Sequence, residues 1–178
     1  KAMYNSQDIH LRPNVPDEIA PKAKEELAGY YAHCTALDAC IGDLLQTIRE
    51  KGIEENTIFV FTSDHGDMLG SHGERRKQRP WDESLRAPFL LHYPAAFGHQ
   101  ATQRDAIIDA PDILPTLLSL SGIPIPNTVE GLDFSDYIKD GKDPSDGSAV
   151  IMCPHPFGEW ARQQHGREYR GLRTKRYT

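Results

Sequence analysis

No stretch of the 178 residues approaches the ~18 to 20 consecutive apolar residues that a membrane-spanning helix needs, so a transmembrane span is excluded. Lys1 to His10 lack the apolar core of a secretory signal. That leaves localisation open between the cytoplasm and an exported compartment. Cysteine is scarce. Cys34, Cys40 and Cys153 form no C-x-x-C pair, which excludes a disulfide framework and a cysteine-based zinc or redox motif. Positive charge is outnumbered, with 20 Lys+Arg against 26 Asp+Glu and a net charge of -6, and no basic stripe stands out. A nucleic-acid backbone binder needs such a stripe, so nucleic acid is excluded as an expected partner. What is present is a globular composition: 38% hydrophobic residues in a length that can bury one real core, without internal repeats.

Between Pro16 and Lys51, apolar residues at Ile19, Ala23, Leu27, Tyr30, Cys34, Leu37, Ile41, Leu44, Leu45 and Ile48 recur at spacings of three and four. They mark one face of a long helix, and Gly52 is placed to stop it in the left-handed conformation. Thr57-Ile58-Phe59-Val60-Phe61 is apolar without polar alternation, which predicts a strand covered on both faces, as in a parallel sheet. Phe89 to Tyr93 and Ala149 to Met152 read as two further strands. Asp109 to Gly122 reads as a helix with Asp109 as N-cap, Pro111 in the first turn and Gly122 at the stop, although Pro115 predicts a kink or a shifted boundary. Gly66 to Glu83 and Ile123 to Ser148 read as loops. Loops that long inside a compact chain are usually functional.

The chemistry concentrates after the strand that ends at Phe61. Thr62-Ser63-Asp64-His65-Gly66-Asp67 sets a carboxylate and an imidazole where ligands collect in open α/β sheets, just beyond a strand's carboxyl end. Such a pair can turn towards one cation, and further ligands would have to come from elsewhere. By spacing alone, Asp64 reads equally well as a turn cap and His65 as an ordinary loop residue. Downstream, Gly70-Ser71-His72-Gly73-Glu74-Arg75-Arg76-Lys77 ends in clustered cations, which suit either a solvated surface or the neutralisation of a phosphate or sulfate oxygen.

Taken whole, the string from Thr57 through Ser63-Asp64-His65-Gly66 and Gly70-Ser71-His72-Gly73 to Lys77, followed by Trp81 to Leu91, resembles the second half of the formylglycine-dependent sulfatases of the alkaline-phosphatase-like superfamily. Leu11 to Pro16, Gly29 to Ala32, Asp112 to Leu118, Gly131 to Asp133 and Tyr169 to Thr174 extend the likeness over nearly the whole chain. The resemblance implies an α/β fold: a partial alkaline-phosphatase-like sandwich, with a mostly parallel sheet flanked by helices and incomplete at its N-terminus. Residues 1–125 would be the C-terminal part of the catalytic domain, and 126–178 the start of a smaller subdomain. It also implies that Asp64 and His65 are two ligands of a single divalent cation, calcium before manganese or magnesium. Lys77 would bind the sulfate of a small sulfated ester or sulfated sugar, and His72 would lie near the site. Glu83 and Arg86 match family positions in a supporting part.

The family's Cys/Ser-x-Pro/Ala-x-Arg motif, whose first residue becomes the formylglycine nucleophile, is missing. The three cysteines read Cys34-Thr35-Ala36-Leu37, Cys40-Ile41-Gly42-Asp43 and Cys153-Pro154-His155-Pro156. The paired aspartates of the family's first strand are also absent. The resemblance therefore implies a fragment of a sulfuric ester hydrolase that lacks its N-terminal half as a partner, is inactive alone and is prone to aggregate. A phosphonate monoester or phosphodiester hydrolase of the same superfamily is the nearest rival. A non-catalytic paralogue is a second.

Overall fold

The computed structural model describes residues 3–155 and 168–177 and divides into two compact units, 1–93 and 94–178. In the first unit, the helical periodicity yields α1, Ala20–Glu50. It ends as Gly52 demands. Gly52 takes φ +66°, its N–H donates to the Arg49 carbonyl (2.9 Å), and the Ile53 N–H reaches back to Ile48 (3.2 Å), a Schellman closure that satisfies the last carbonyls. Burial along α1 is uneven. Ala23 and Ala28 are buried near its start, whereas Tyr30, Leu37 and Leu44 of the apolar stripe are exposed. Tyr4 covers part of it, meeting Tyr31 edge-on at 5.8 Å and sharing a 2.8 Å hydrogen bond with Thr35.

Strand β1, Phe59–Thr62, pairs with β2, Phe89–His92, and the register sets Val60 opposite Leu91. The pairing is antiparallel, which corrects the parallel neighbour expected from the unbroken apolar run. Apolar composition reports burial and not direction. Direction is set by the connection, which here is a long loop closed by the four-residue helix α2, Asp82–Leu85, rather than the crossover helix that parallel strands need.

The second unit starts with the short helix α3, Pro94–Phe97, and is built around α4, Ala110–Leu120. Asp109 caps α4 as the sequence predicts. Its Oδ1 accepts from the Ala110 N–H (2.8 Å), and Asp112 Oδ2 accepts from the Asp109 N–H (2.8 Å) in a reciprocal capping box. Pro115 does not end the helix, which runs through it to Leu120. It is the sixth helical residue, so the one bond it deletes is to the Pro111 carbonyl, and the chain at Gly131 packs there instead: a Cβ on Gly131 would lie 2.0 Å from that oxygen. Thr116 ties the helix to the same segment, donating to the Asp112 carbonyl (2.6 Å) and accepting from the Phe134 N–H (2.9 Å). Phe134 is fully buried and meets Tyr137 edge-on. The expected loop from Ile123 to Ser148 therefore contains a helix, α5, Ser135–Asp140, stopped by Gly141 at φ +78°. Strands β3, Ser148–Cys153, over the strand expected at Ala149 to Met152, and β4, Tyr169–Thr174, form an antiparallel pair. No helix among the described residues is long and apolar enough to cross a membrane.

Candidate functional site

Beyond the carboxyl end of β1 the chain enters Ser63-Asp64-His65-Gly66. The Ser63 hydroxyl donates to the His65 carbonyl (2.8 Å), folding the segment back on itself. The imidazole Nδ1 lies 2.7 Å from the Gly66 carbonyl. A carbonyl only accepts, so Nδ1 is the donor here, the arrangement in which Nε2 is the ring's acceptor or ligating atom. That Nε2 lies 2.8 Å from Lys77 Nζ and 3.3 Å from Asp64 Oδ2. Three residues singled out from the sequence, thirteen positions apart at their extremes, thus converge on one nitrogen. The Asp64 side chain is 79% exposed and that of His65 35%, so the cluster is open to solvent on its carboxylate side.

Gly66 makes this approach possible. Its N–H donates to the Ser84 carbonyl (2.9 Å), and a Cβ there would lie 2.1 Å from the Glu83 carbonyl oxygen. Only a residue without a side chain fits between β1 and the start of α2.

Lys77 is brought in by an unusual loop. Four non-glycine residues, Leu69, His72, Arg76 and Gln78, have φ between 47° and 65°, a conformation that L-residues avoid and that clusters at functional sites. Local contacts impose it. The Leu69 N–H is held by the Asp67 carboxylate (3.0 Å), Met68 is fully buried with its N–H on the Arg76 carbonyl (2.9 Å), and the Gly70 N–H bonds the Glu74 carbonyl (3.0 Å). Arg79, with 11% of its side chain exposed, donates Nε to Glu74 (2.8 Å) and Nη1 to the Lys77 carbonyl (3.0 Å).

His72 lies in an adjoining network. Its ring stacks on Trp81 at 4.7 Å, its N–H donates to the Asn14 carbonyl (2.8 Å), and its Nε2 lies 3.1 Å from Asn14 Nδ2. The same amide donates to Glu83 Oε1 (2.9 Å), which Arg12 approaches at 3.7 Å. Burial alone would raise the Glu83 carboxyl. Hydrogen bonds from Asn14, its own backbone and Ser71, with the Arg12 charge, outweigh burial and hold it below the usual carboxylate range. Arg86 sits apart on the surface, 4.0 Å from Asp82.

Asn14, Arg12 and Arg79 are the participants that sequence reading missed. Asn14 and Arg12 stand more than 50 residues from their partners, and Arg79 follows three cations that read as surface charge. The one available signal was the Leu11 to Pro16 string itself.

Two donors of one bound ion sit about 3 Å apart, so Asp64 Oδ2 and His65 Nε2 fit as neighbouring ligands. The Nδ1–H bond to a carbonyl is also the support that ligating imidazoles usually have. Among the described residues no group of three or more His, Cys, Asp and Glu side chains could hold a metal ion.

A sulfatase model matches residues 3–123, and a model of the C-terminal part of N-sulphoglucosamine sulphohydrolase matches 70–178. An ulvan-active sulfatase of Formosa agariphila is 45% identical over all of the chain, an arylsulfatase of Clostridium perfringens 40% identical over 76%, and an endo-4-O-sulfatase of Bacteroides thetaiotaomicron 32% identical over 99%. The chain spans 35%, 28% and 36% of those relatives' lengths. Among solved structures, one from work on glycosaminoglycan metabolism by Bacteroides thetaiotaomicron aligns over 97% of the chain and 36% of its own length, with TM-score 0.78 and 28% identity. Another, in complex with its substrate D-glucosamine-2-N,6-O-disulfate, aligns over 91% of the chain and 33% of its own length, with TM-score 0.70 and 27% identity. The small antiparallel sheets and helices described above are part of the α/β, alkaline-phosphatase-like architecture of these structures. Matched along nearly its whole length in both sequence and fold, the chain belongs to the sulfatase family.

Proposed function

We propose that this chain supplies the cation-binding and sulfate-binding part of a sulfuric ester hydrolase whose nucleophile, a formylglycine, lies in sequence outside these 178 residues. The observation that carries the reading is the convergence of Asp64, His65 and Lys77 around one imidazole nitrogen. Asp64 and His65 hold one divalent cation, calcium in the first instance, together with carboxylates from the rest of the enzyme. A bound cation supplies positive charge beside the ester oxygens. Lys77 places its ammonium against the sulfate and neutralises charge as the S–O bond breaks. Gly66 and Ser63 fix the imidazole so that its lone pair stays on the cation side. The substrate is a small sulfated ester or a sulfated sugar, the class named for the disulfated-glucosamine relative.

The test is a panel of matched aryl sulfate and aryl phosphonate esters, run on the complete enzyme with calcium, manganese or magnesium. Preferential hydrolysis of the sulfate, lost in Lys77→Ala, supports the reading. Preference for the phosphonate would move the enzyme to the phosphonate monoester hydrolases, one of which shares the fold at TM-score 0.67. No hydrolysis of either ester would refute both.

A further inference from the structure

The reach of Lys77 to His65 depends on how its backbone is held. A lysine side chain has four rotatable bonds and pivots on its own backbone, and here that backbone runs between Arg76 and Gln78, both in the left-handed region at φ 61° and 65°. Left to itself such a segment would relax to ordinary φ values and swing the Lys77 side chain away from His65. Besides the Met68 N–H on the Arg76 carbonyl (2.9 Å), one side chain is placed to hold this backbone. The Arg79 guanidinium is largely buried, and its planar fork spans two targets: Nε on the Glu74 carboxylate (2.8 Å) and Nη1 on the Lys77 carbonyl (3.0 Å). The Arg79 N–H is itself anchored on the Ser84 hydroxyl (3.1 Å), and Ser84 is buried in α2, where its carbonyl also accepts from the Gly66 N–H (2.9 Å). Arg79 therefore joins both sides of the site. Through Ser84 it is fixed to the segment that carries His65, and through its fork it is fixed to the backbone that carries Lys77.

We propose that Arg79 is a positioning residue for Lys77, with Glu74 as the carboxylate that keeps the guanidinium aimed. It touches neither ester nor cation, and its effect on either passes through the Lys77 main chain. The inference rests on the sulfate-binding part assigned to Lys77 above. Two other candidates carry less. The cleft lined by Arg104, Asp105, Tyr137 and Lys175 has its charges already paired internally, Lys175 on Asp105 at 2.8 Å, and nothing marks a ligand there. The exposed stripe on α1 has no structural sign of what covers it.

The geometry makes the two bonds of the fork separable. Arg79→Lys keeps a cation for Glu74 but loses the rigid second donor to the Lys77 carbonyl, whereas Arg79→Ala removes both. Lysine-selective reductive methylation of the complete enzyme, read residue by residue by mass spectrometry, reports how firmly Lys77 is held whether or not any ester is turned over. Lys77 should be labelled about fivefold faster in both variants, the effect of releasing one hydrogen-bonded group, while lysines of α1 keep their rates. Unchanged Lys77 labelling in both variants overturns the inference and leaves the sulfatase reading standing. Loss of aryl sulfatase activity in the wild-type enzyme would do the reverse. Where the enzyme is active, Arg79→Ala should lower kcat/KM about a hundredfold alone, the usual consequence of misplacing a reacting contact by an ångström, yet less than about threefold in a Lys77→Ala background. Equal losses in both backgrounds would show that Arg79 acts on folding alone.

Discussion

Replacing Gly66 with alanine isolates how tightly the Ser63–Gly66 segment is built. The added Cβ would stand 2.1 Å from the Glu83 carbonyl oxygen, 3.0 Å from its carbon and 3.2 Å from the Arg86 carbonyl oxygen, and all three are backbone atoms that no rotamer change can move. Ordinary contact begins near 3.4 Å, so the chain must open by more than an ångström. Doing so breaks the Gly66 N–H bond to Ser84 and shifts the carbonyl that His65 Nδ1 uses. Overpacking of this kind costs about 1 to 3 kcal/mol, and the broken hydrogen bond about 1 more. The control lies in α1: Gly42 is helical and a Cβ there meets nothing within 4 Å, so Gly42→Ala should gain about 0.5 to 1 kcal/mol from helix propensity alone. Urea unfolding followed by far-ultraviolet circular dichroism would measure both, and a shifted midpoint at unchanged slope identifies a stability effect. The two variants should shift in opposite senses and differ by about 2.5 to 5 kcal/mol. A Gly66→Ala protein within about 0.5 kcal/mol of wild type would refute the close approach of the two backbones.

Asp64→Ala should weaken calcium binding by at least about tenfold in isothermal titration of the complete enzyme; undiminished affinity would remove Asp64 from the ligand set. Glu83 is depressed below its ordinary value of 4.5, so its ionised form stabilises the folded state at pH above 4.5, and that contribution is lost as pH falls through the lower folded value. Glu83→Gln should accordingly flatten the acid limb of a stability-against-pH curve, and an unchanged limb would exclude Glu83 as its source. Phe134→Ala empties a fully buried site beside α4 and should cost about 3 to 5 kcal/mol by chemical denaturation, whereas a loss under about 1 kcal/mol would mean that the site collapses freely.

Much of the fold was legible because its local signals are chemical. Asp109, Gly122 and Gly52 mark helix ends through groups that satisfy orphan backbone atoms, and the structure uses each as expected. The direction of β1 was not legible, since Phe59 to Phe61 would look the same in either pairing and only the connection decides. Helix α5 was hidden because its six residues, Ser135–Asp140, are too few for a periodicity, and the contacts of Phe134 and Ser135 with α4 hold it in place. Asp64, His65 and Lys77, which the structure brings together, lie in one short string. The residues that brace them were not legible, because Asn14 and Arg79 act through distances and angles that a linear spacing does not encode.

The four left-handed residues between Leu69 and Gln78 also bear on how such a protein would respond to selection. Each holds a conformation that costs an L-residue about 1 to 2 kcal/mol and that glycine adopts freely. A library screened for heat resistance alone should therefore enrich glycine at 69, 76 or 78. The same replacements would widen the range of shapes open to the loop and let Lys77 wander from His65. Heat tolerance and the hold of Lys77 on His65 would then trade against each other within a single ten-residue stretch, and lineages selected to keep that contact should retain their side chains there at the expense of melting temperature.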